Sequence, residues 1–232
     1  ATMEPVNATA LISNKTCTIW APTQAPDKVQ KDISKLLGIP RNAVEVNVTS
    51  IGGGFGRKSY RDFVVDAVQA CKLVGRPVKV IQTREADIQH DLFRPACAMQ
   101  LQATLNKDGL PQAIRFSASG PSIARYYPSP AIDNSVKDVD YLTVAGIQNM
   151  PYQIEHFKAD AHTIDNPEPV PVGILRSIGH SYTCYARECF IDKLAHTTGI
   201  DPLAYRIKML SNNKRALNVL RLIAEKSNWA AP

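Results

Sequence analysis

The feature that constrains this chain most is a glycine-rich stretch lying between a predicted strand and a predicted helix. Four of the five residues from Gly52 to Gly56 are glycine, and Phe55 is the exception. Upstream, Val44–Val48 alternates apolar and polar residues, as a half-buried strand does. Downstream, apolar residues recur at helical spacing from Phe63 to Val74. We therefore expect a loop over a helix N-terminus, where free N–H groups suit an anionic or oxo-bearing ligand and the glycines let it approach the backbone.

Two familiar glycine motifs do not fit this loop. A Walker A count from Gly52 places Arg57 where the second glycine belongs, and a dinucleotide fingerprint from Gly52 fails at the same residue. Counted from Gly54, the fingerprint fails at Ser59. Two interpretations remain open for the loop alone, a ligand-binding loop or a glycine-rich turn with a core phenylalanine.

Length and composition exclude several classes of function. At 232 residues the chain has room for one large domain or two small ones. Its net charge of +6 is scattered, without the basic and aromatic clustering of a nucleic-acid surface, and no apolar run is long enough to span a membrane. The cysteines form no CxxC pair and are predicted to be buried thiols rather than metal or iron–sulfur ligands. They are Cys17, Cys71, Cys97, Cys184 and Cys189.

Periodicity and turn residues predict an α+β fold. The first part of the chain indicates the order β-β-α-β-α-β. Its elements are strands Ala8–Ile12 and Cys17–Trp20, a helix from Pro26 that ends before Gly38, strand Val44–Val48, helix Arg61–Val74 and strand Val78–Gln82.

The second part predicts a hairpin, an irregular region and C-terminal helices. Its elements are strands 99–105 and 113–118 around the turn Asn106–Gly109, an irregular excursion over 120–149, one long or two short strands within 152–164, a proline-rich segment over 166–173, and helices over 182–199, 201–210 and 216–229.

Three segments in order carry a resemblance to a known family. Gly52–Lys58 resembles the Gly-Gly-Gly-Phe-Gly-Gly-Lys loop of the molybdenum hydroxylases, the xanthine oxidase and aldehyde oxidoreductase family. Arg57 departs from that pattern and is similar to the branch formed by the large, or beta, chains of isoquinoline 1-oxidoreductase. Thr23-Gln24 resembles a Thr-Gln that precedes the loop in the family, and Leu175–Ser181 resembles the Trp-Arg-Ser-Val-Gly-His-Ser segment of the same branch. With Met3-Glu4-Pro5, which is similar to the family's opening, the resemblance covers essentially the whole chain.

The resemblance implies a fold and a set of site residues. The fold is a molybdenum-cofactor-binding domain of β-β-α-β-α-β layered units plus C-terminal helices. We expect 1–232 to be molybdopterin-binding, with a first lobe over 1–119 and a second over 120–232. The implied cofactor-binding residues are Gln24, Gly53, Gly54, Phe55, Gly56, Arg57, Arg176, Ser177, Ile178 and Gly179.

Individual roles follow from the same resemblance. In the family the glutamine amide hydrogen-bonds an oxo ligand on molybdenum, although Thr23-Gln24 is also compatible with a helix-capping polar pair. Arg176 suits orientation of a phosphate or a substrate. His180 is a candidate base, but a helix-cap or structural role is preferred for it.

The implied function is that of part of a catalytic subunit that hydroxylates N-heteroaromatic compounds or oxidises aldehydes with water as the oxygen source. The implied cofactor is molybdopterin with molybdenum, in bacterial members the cytosine dinucleotide, whose dithiolene holds the metal so that no protein ligand is needed. The glutamate that acts as the general base in the family has no match in this sequence, so no catalytic residue is assigned. We therefore expect the chain to be an excised piece of a catalytic subunit and to be inactive by itself.

The resemblance also implies partners. These are the remainder of the large subunit, a small subunit with 2Fe–2S clusters and a small-molecule substrate. Localisation lies between the bacterial periplasm and cytoplasm, with the periplasm favoured because relatives in this branch are exported folded.

Two other classes of function stay open at this point. A non-catalytic phosphate- or nucleotide-binding module would use the glycine loop alone and would leave Gln24 and Arg176 far from Phe55. An inert structural domain would have no cavity at the loop. The enzyme interpretation requires Gln24, Phe55 and Arg176 to converge on one face.

Overall fold

The computed structural model describes residues 1–126, 140–164 and 170–229. The chain divides into two compact units. Unit 1 consists of the described parts of Ala1–Arg94 and Glu168–Arg176, and unit 2 of the described parts of Pro95–Pro167 and Ser177–Pro232.

Unit 1 has the predicted order β-β-α-β-α-β. The elements are β1 (Asn7–Ser13), β2 (Thr16–Ala21), α1 (Pro26–Leu37), β3 (Val44–Val48), α2 (Asp62–Val74), β4 (Val78–Ile81) and α3 (Arg84–Gln89). The strands form one sheet in the order β3-β2-β1-β4, in which β2 and β3 are parallel and the other pairs antiparallel. The short helix α3 was not predicted. Its N-cap is Thr83, whose hydroxyl accepts from Ala86 N.

The core of unit 1 lies between the sheet and its two long helices. Alternate residues of β1 and β2 are buried, which is the period that the sequence shows. The buried cluster comprises Val6, Ala8, Ala10, Cys17, Ile19, Ala21, Val29, Ile33, Val44, Phe63, Val64, Ala67, Val68 and Cys71. Each long helix ends at a glycine in the left-handed conformation, Gly38 for α1 and Gly75 for α2, as expected for C-terminal caps.

Unit 2 combines a three-stranded sheet with helices. Its elements are β5 (Ala98–Leu105), β6 (Pro111–Gly120), α4 (Ile123–Tyr126), β7 (His156–Thr163), α5 (His180–Thr197), α6 (Pro202–Met209) and α7 (Lys214–Lys226). The sheet order is β5-β6-β7, with β5 and β6 antiparallel and β6 and β7 parallel. A buried cluster that includes Ile114, Ile191, Tyr205 and Met209 joins the sheet to the helices.

Most predicted elements of unit 2 are present. Asn106 and Gly109 close the hairpin between β5 and β6, and Asp201 caps α6 as predicted. Residues 152–164 hold a single strand, β7. The described part of 120–149 contains one short helix and turns. Residues 127–139 of the predicted excursion lie outside the described residues, as do 166–169 of the predicted proline-rich segment.

Two expectations differ from the structure. The compact units do not follow the predicted lobes 1–119 and 120–232, because β6 pairs with both β5 and β7 and so holds the hairpin in unit 2. The cysteines are not all buried. Cys17 and Cys71 are, whereas Cys189 on α5 is exposed.

Candidate functional site

The glycine loop follows β3 and does not open α2 directly. A 3₁₀ turn over Arg57–Ser59 comes first, and α2 begins only at Asp62. The expectation that the loop lies on the α2 N-terminus therefore needs correction. The N–H groups available at this site belong to the loop itself.

The loop backbone is mostly left-handed. Gly52, Gly53 and Gly56 have φ values of 61°, 85° and 97°, and Phe55 has 49°. For the glycines this conformation costs little, whereas for phenylalanine it is strained and persists only where the surroundings hold it. The Phe55 carbonyl accepts from Arg176 N at 2.9 Å, and its ring remains exposed.

The loop contains three consecutive backbone donors that are open within the described part of the chain. Among the residues that the structure describes, the N–H groups of Gly53, Gly54 and Phe55 donate no hydrogen bond. Gly54 is nevertheless buried. Since buried backbone donors are normally satisfied, three open donors in succession favour a ligand with acceptor atoms.

The glycines make room for side chains of the site itself. A Cβ on Gly54 would lie 2.6 Å from Gln24 Oε1, and one on Gly56 would lie 2.6 Å from Ile174 Cγ2. A Cβ on Gly52 would lie 2.6 Å from Glu4 Oε2. From the sequence, we expected the glycines to let a ligand approach the backbone. The structure shows that they also admit the side chains that support the loop.

Gln24 is fixed by the loop in one orientation. Its Oε1 accepts from Gly56 N at 3.0 Å, and its backbone N donates to Lys58 O at 2.8 Å. Only the amide oxygen can accept from an N–H group, so this bond decides which way the amide points. The Nε2 group is therefore the open end, and no described residue accepts a hydrogen bond from it.

The predicted pair Thr23-Gln24 does not cap α1. The N-cap of that helix is Ala25, which has no capping side chain. Instead the Thr23 hydroxyl accepts from Ala25 N at 3.1 Å and donates to Lys58 O at 3.3 Å. Both residues of the pair thus attach the end of β2 to the loop.

Arg176 lies beside Phe55. Its backbone N donates to the Phe55 carbonyl, and its own carbonyl accepts from Arg94 Nη2 at 2.8 Å. The side chain is exposed, and its guanidinium has no ion pair or hydrogen bond to a described residue. Gln24, Phe55 and Arg176 therefore converge, as the enzyme interpretation requires.

The strand-like segment before Arg176 is tied to the same place. Ile174 N donates to the Tyr60 hydroxyl at 3.0 Å, and Val172 forms an isolated parallel bridge with Phe93. This position of residues 171–176 beside the loop could not be inferred from the proline content of the sequence.

Ser177, Ile178 and Gly179 belong to unit 2, so the convergence described above covers unit 1 only. Ser177 and Ile178 have φ values of 71° and 48°, strained for non-glycine residues and most of all for a β-branched one. Gly179 N donates to Leu142 O at 3.2 Å, and a Cβ on Gly179 would lie 2.6 Å from Thr143 O. His180 begins α5.

Arg57 occupies a different position from the one predicted. Its guanidinium is buried, donates to both oxygens of Asp62 at 2.8 and 2.6 Å, and has Nε 2.9 Å from Asp91 Oδ1 without hydrogen-bond geometry. Its backbone N donates to Gly54 O. That Arg57 binds the cofactor stays a prediction, but its two terminal nitrogens and its backbone N–H are engaged inside unit 1, and Nε lies in an ion pair there.

Sequence reasoning missed a second buried cation below the loop. Lys58 is fully buried, and its ammonium pairs with Glu4 and donates to the Ile51 carbonyl at 2.5 Å. Glu4 N in turn donates to Gly52 O. Glu4 and Lys58 are 54 residues apart in the sequence, so their ion pair beside the loop is seen only in the folded chain.

The fold and the loop together define an α+β domain whose glycine loop presents open donors to a ligand. Residues 1–210 match the family model described as the molybdopterin cofactor-binding domain. The chain therefore belongs to that family, which confirms the predicted molybdenum hydroxylase membership.

Named relatives and solved structures agree with this assignment. The chain is 31% identical over 214 residues to one of the subunits of nicotinate dehydrogenase from Pseudomonas putida, covering 91% of this chain and 18% of that protein. It is 31% identical over 212 residues to the beta subunit of isoquinoline 1-oxidoreductase from Brevundimonas diminuta, covering 90% and 26%. The structure of quinoline 2-oxidoreductase from Pseudomonas putida 86 matches the fold with a TM-score of 0.79 at 20% identity, covering 98% of this chain and 30% of that one.

The described residues contain neither a metal-binding cluster nor a membrane-spanning helix. In the ranges that the structure covers, no three His, Cys, Asp or Glu side chains cluster in a way that could hold a metal ion. Within the same ranges no helix is both long and apolar enough to cross a membrane.

Proposed function

We propose that this chain holds molybdopterin in a subunit of a molybdenum-dependent oxidoreductase that hydroxylates N-heteroaromatic compounds or oxidises aldehydes. The observation that carries the proposal is the hydrogen bond from Gly56 N to Gln24 Oε1, which leaves Gln24 Nε2 as a donor with no acceptor among the described residues, on the loop whose Phe55 carbonyl accepts from Arg176 N. The relatives' names support the class of reaction, and the chain spans less than a third of the two relatives described above.

The residues present fit such a cofactor. The three open N–H groups of Gly53, Gly54 and Phe55 and the Gln24 amide are neutral donors, fixed before any ligand arrives, and such donors stabilise negative charge without reorganisation. Arg176, whose backbone N–H bonds the Phe55 carbonyl, carries an exposed guanidinium with a full positive charge. The bound cofactor supplies the redox chemistry, and this chain supplies binding, orientation and electrostatics.

The same proposal extends to the finer form of the cofactor and to the partners. The Arg176 guanidinium suits a phosphate group, which supports the dinucleotide form, molybdopterin cytosine dinucleotide. Because the relatives are named as subunits, we propose a partner subunit with 2Fe–2S clusters to remove electrons. Periplasmic localisation, the prediction made from the branch resemblance, is retained as part of the proposal.

The rival nucleotide-binding module receives less support. It requires Gln24 and Arg176 to lie away from Phe55, whereas Arg176 donates directly to the Phe55 carbonyl and Gln24 accepts from the next residue, Gly56.

The proposal is tested by the cofactor content of the complete subunit, purified with its partner from a host that makes the cofactor. We expect bound molybdenum and releasable pterin in the wild type and little of either in Gln24→Met, which keeps the side-chain length but removes the amide. The matched control is Gln30→Met on α1, since Gln30 also makes an amide hydrogen bond within unit 1, to Val44 O at 2.9 Å. Wild-type molybdenum and pterin in Gln24→Met would contradict the assigned role, and absence of both from the wild type would favour the rival.

A further inference from the structure

Arg57 is the position at which the loop departs from the Gly-Gly-Gly-Phe-Gly-Gly-Lys pattern, and its side chain is only 7% exposed. Its two terminal nitrogens bond both oxygens of Asp62, in the fork-to-fork geometry that only arginine can provide. A third nitrogen, Nε, lies 2.9 Å from Asp91. The guanidinium therefore connects the loop to the start of α2 and to the segment after α3.

The charges around Arg57 hold its guanidinium in this cluster. Burial acts to lower the pKa of Arg57, but the hydrogen bond and charge of Asp62 and the charges of Asp91 and Asp87 raise it above the ordinary value. Asp87 is also paired, with Arg84 at 3.1 Å. Arg57 is the cation that joins Asp62 to Asp91, so its loss would separate those two carboxylates and leave Asp91 with one buried cation fewer.

The backbone of Arg57 transmits this anchoring to the site. Its N–H group donates to Gly54 O at 2.9 Å, and the preceding residue, Gly56, donates to Gln24. Phe55, two residues before Arg57, holds its strained φ of 49°. A strained residue keeps its conformation only while its neighbours are fixed, and the Arg57 side chain fixes this end of the loop to two other segments.

We propose that Arg57 is a positioning residue, which holds Phe55 in its left-handed conformation and Gly56 N–H against Gln24 through the Asp62 and Asp91 contacts. Arg57 acts through the loop and does not itself touch the cofactor. The purpose of this positioning rests on the proposed function, but the positioning is a property of the folded chain alone.

The test is backbone hydrogen exchange of the loop peptide covering residues 51–58 in the 232-residue chain, measured by mass spectrometry on Arg57→Met. The matched control is Arg61→Met. Arg61 lies at the same end of α2, has a side chain that is 15% exposed against 7% for Arg57, and pairs with Asp32 at 2.7 Å, but does not lie in the loop. We expect loop exchange to rise by about tenfold in Arg57→Met and by less than about twofold in Arg61→Met. Equal acceleration in both variants, or none in Arg57→Met, would overturn the proposal.

A second variant covers the case in which Arg57→Met does not fold. Arg57→Lys keeps the positive charge but cannot bond both oxygens of Asp62 while reaching Asp91. The exchange rate of the loop peptide in this variant should therefore lie between the wild-type rate and the rate in a chain that lacks both contacts. Wild-type exchange in folded Arg57→Lys would overturn the proposal. In the complete subunit we expect Arg57→Met to lose pterin as well. If even the wild-type subunit holds none, the proposed function fails while the exchange result stands.

Discussion

Replacing Gly54 by alanine tests the packing of the loop against Gln24. The added Cβ would lie 2.6 Å from Gln24 Oε1 and 3.0 Å from Cδ, well inside ordinary van der Waals contact. Gly54 is not left-handed, so alanine is compatible with its backbone. The Gln24 amide must therefore move, and the 3.0 Å bond from Gly56 N is lost.

The magnitude follows from two opposed effects. A hydrogen bond of this kind contributes about 0.5–1.5 kcal/mol to the free energy of unfolding. Glycine-to-alanine at a compatible position adds about 0.4–1 kcal/mol by reducing the entropy of the unfolded chain. The net change in the free energy of unfolding of Gly54→Ala alone is therefore close to zero. The energetic coupling between positions 54 and 24 is the better measure. We expect Gly54→Ala and Gln24→Ala to couple by about 1 kcal/mol, because the alanine Cβ has no amide to displace once Gln24 is truncated.

The assay is urea unfolding of the four members of this double-mutant cycle. Trp20 reports on unit 1 by fluorescence, and a Trp229→Phe background removes the other tryptophan. The contact of the new Cβ with Ile51, at 3.1 Å, is present with or without Gln24 and cancels in the cycle. Additivity within about 0.3 kcal/mol would refute the claim that Gly54 is required by Gln24.

Three further predictions concern other positions. Gly56→Ala should lower the free energy of unfolding by about 1–3 kcal/mol more than Gly75→Ala, measured in urea, because both glycines are left-handed but only Gly56 would meet another side chain. An equal decrease in the free energy of unfolding in Gly56→Ala and Gly75→Ala would exclude a clash at Gly56. Burial acts to raise the pKa of Glu188, but hydrogen bonds and charges from its tyrosine and arginine partners lower it below the ordinary 4.5. The ionised Glu188 carboxylate therefore stabilises the folded chain fully above pH 4.5. This contribution to the free energy of unfolding is lost as the pH falls through the pKa that Glu188 has in the folded chain. The free energy of unfolding of Glu188→Gln should fall less steeply than that of the wild type as the pH is lowered, and an identical pH dependence would contradict this. Burial raises the pKa of the Cys17 thiol to about 11, whereas Cys189 is exposed. Iodoacetamide at pH 8 should therefore label Cys189 and leave Cys17 unlabelled in the folded chain, as measured by mass spectrometry. Equal labelling of the two cysteines would contradict this.

The elements of unit 1 could be predicted because their signals are local. Alternation in β1 and β2, proline at the first turn of α1 and glycine after α1 and α2 all act within a few residues. The parallel pairing of β6 with β7 has no such signal, because it joins segments separated by the irregular region. The lobe boundary at 119/120 differed from the compact units for the same reason.

The site was partly predictable. Gln24, Phe55 and Arg176 were singled out through motif resemblance. The structure brings them together, and their role in cofactor binding stays a prediction. The position of Arg57 was not foreseen, because a cation beside a glycine loop suggests a ligand contact when its carboxylate partners are unknown. Asp62, five residues further on, was a signal that could have been used, whereas Asp91 lies too far along the chain to be recognised.

The fit of three of the four loop glycines to one particular side chain each has an evolutionary consequence. Gly54 faces Gln24, Gly56 faces Ile174 and Gly52 faces Glu4, in each case at a distance that leaves no room for a methyl group. A change at one member of a pair is acceptable only if the other member becomes smaller or moves. Across related sequences these positions should therefore vary as pairs, and an alanine at position 54 should be accompanied by a shorter residue at position 24.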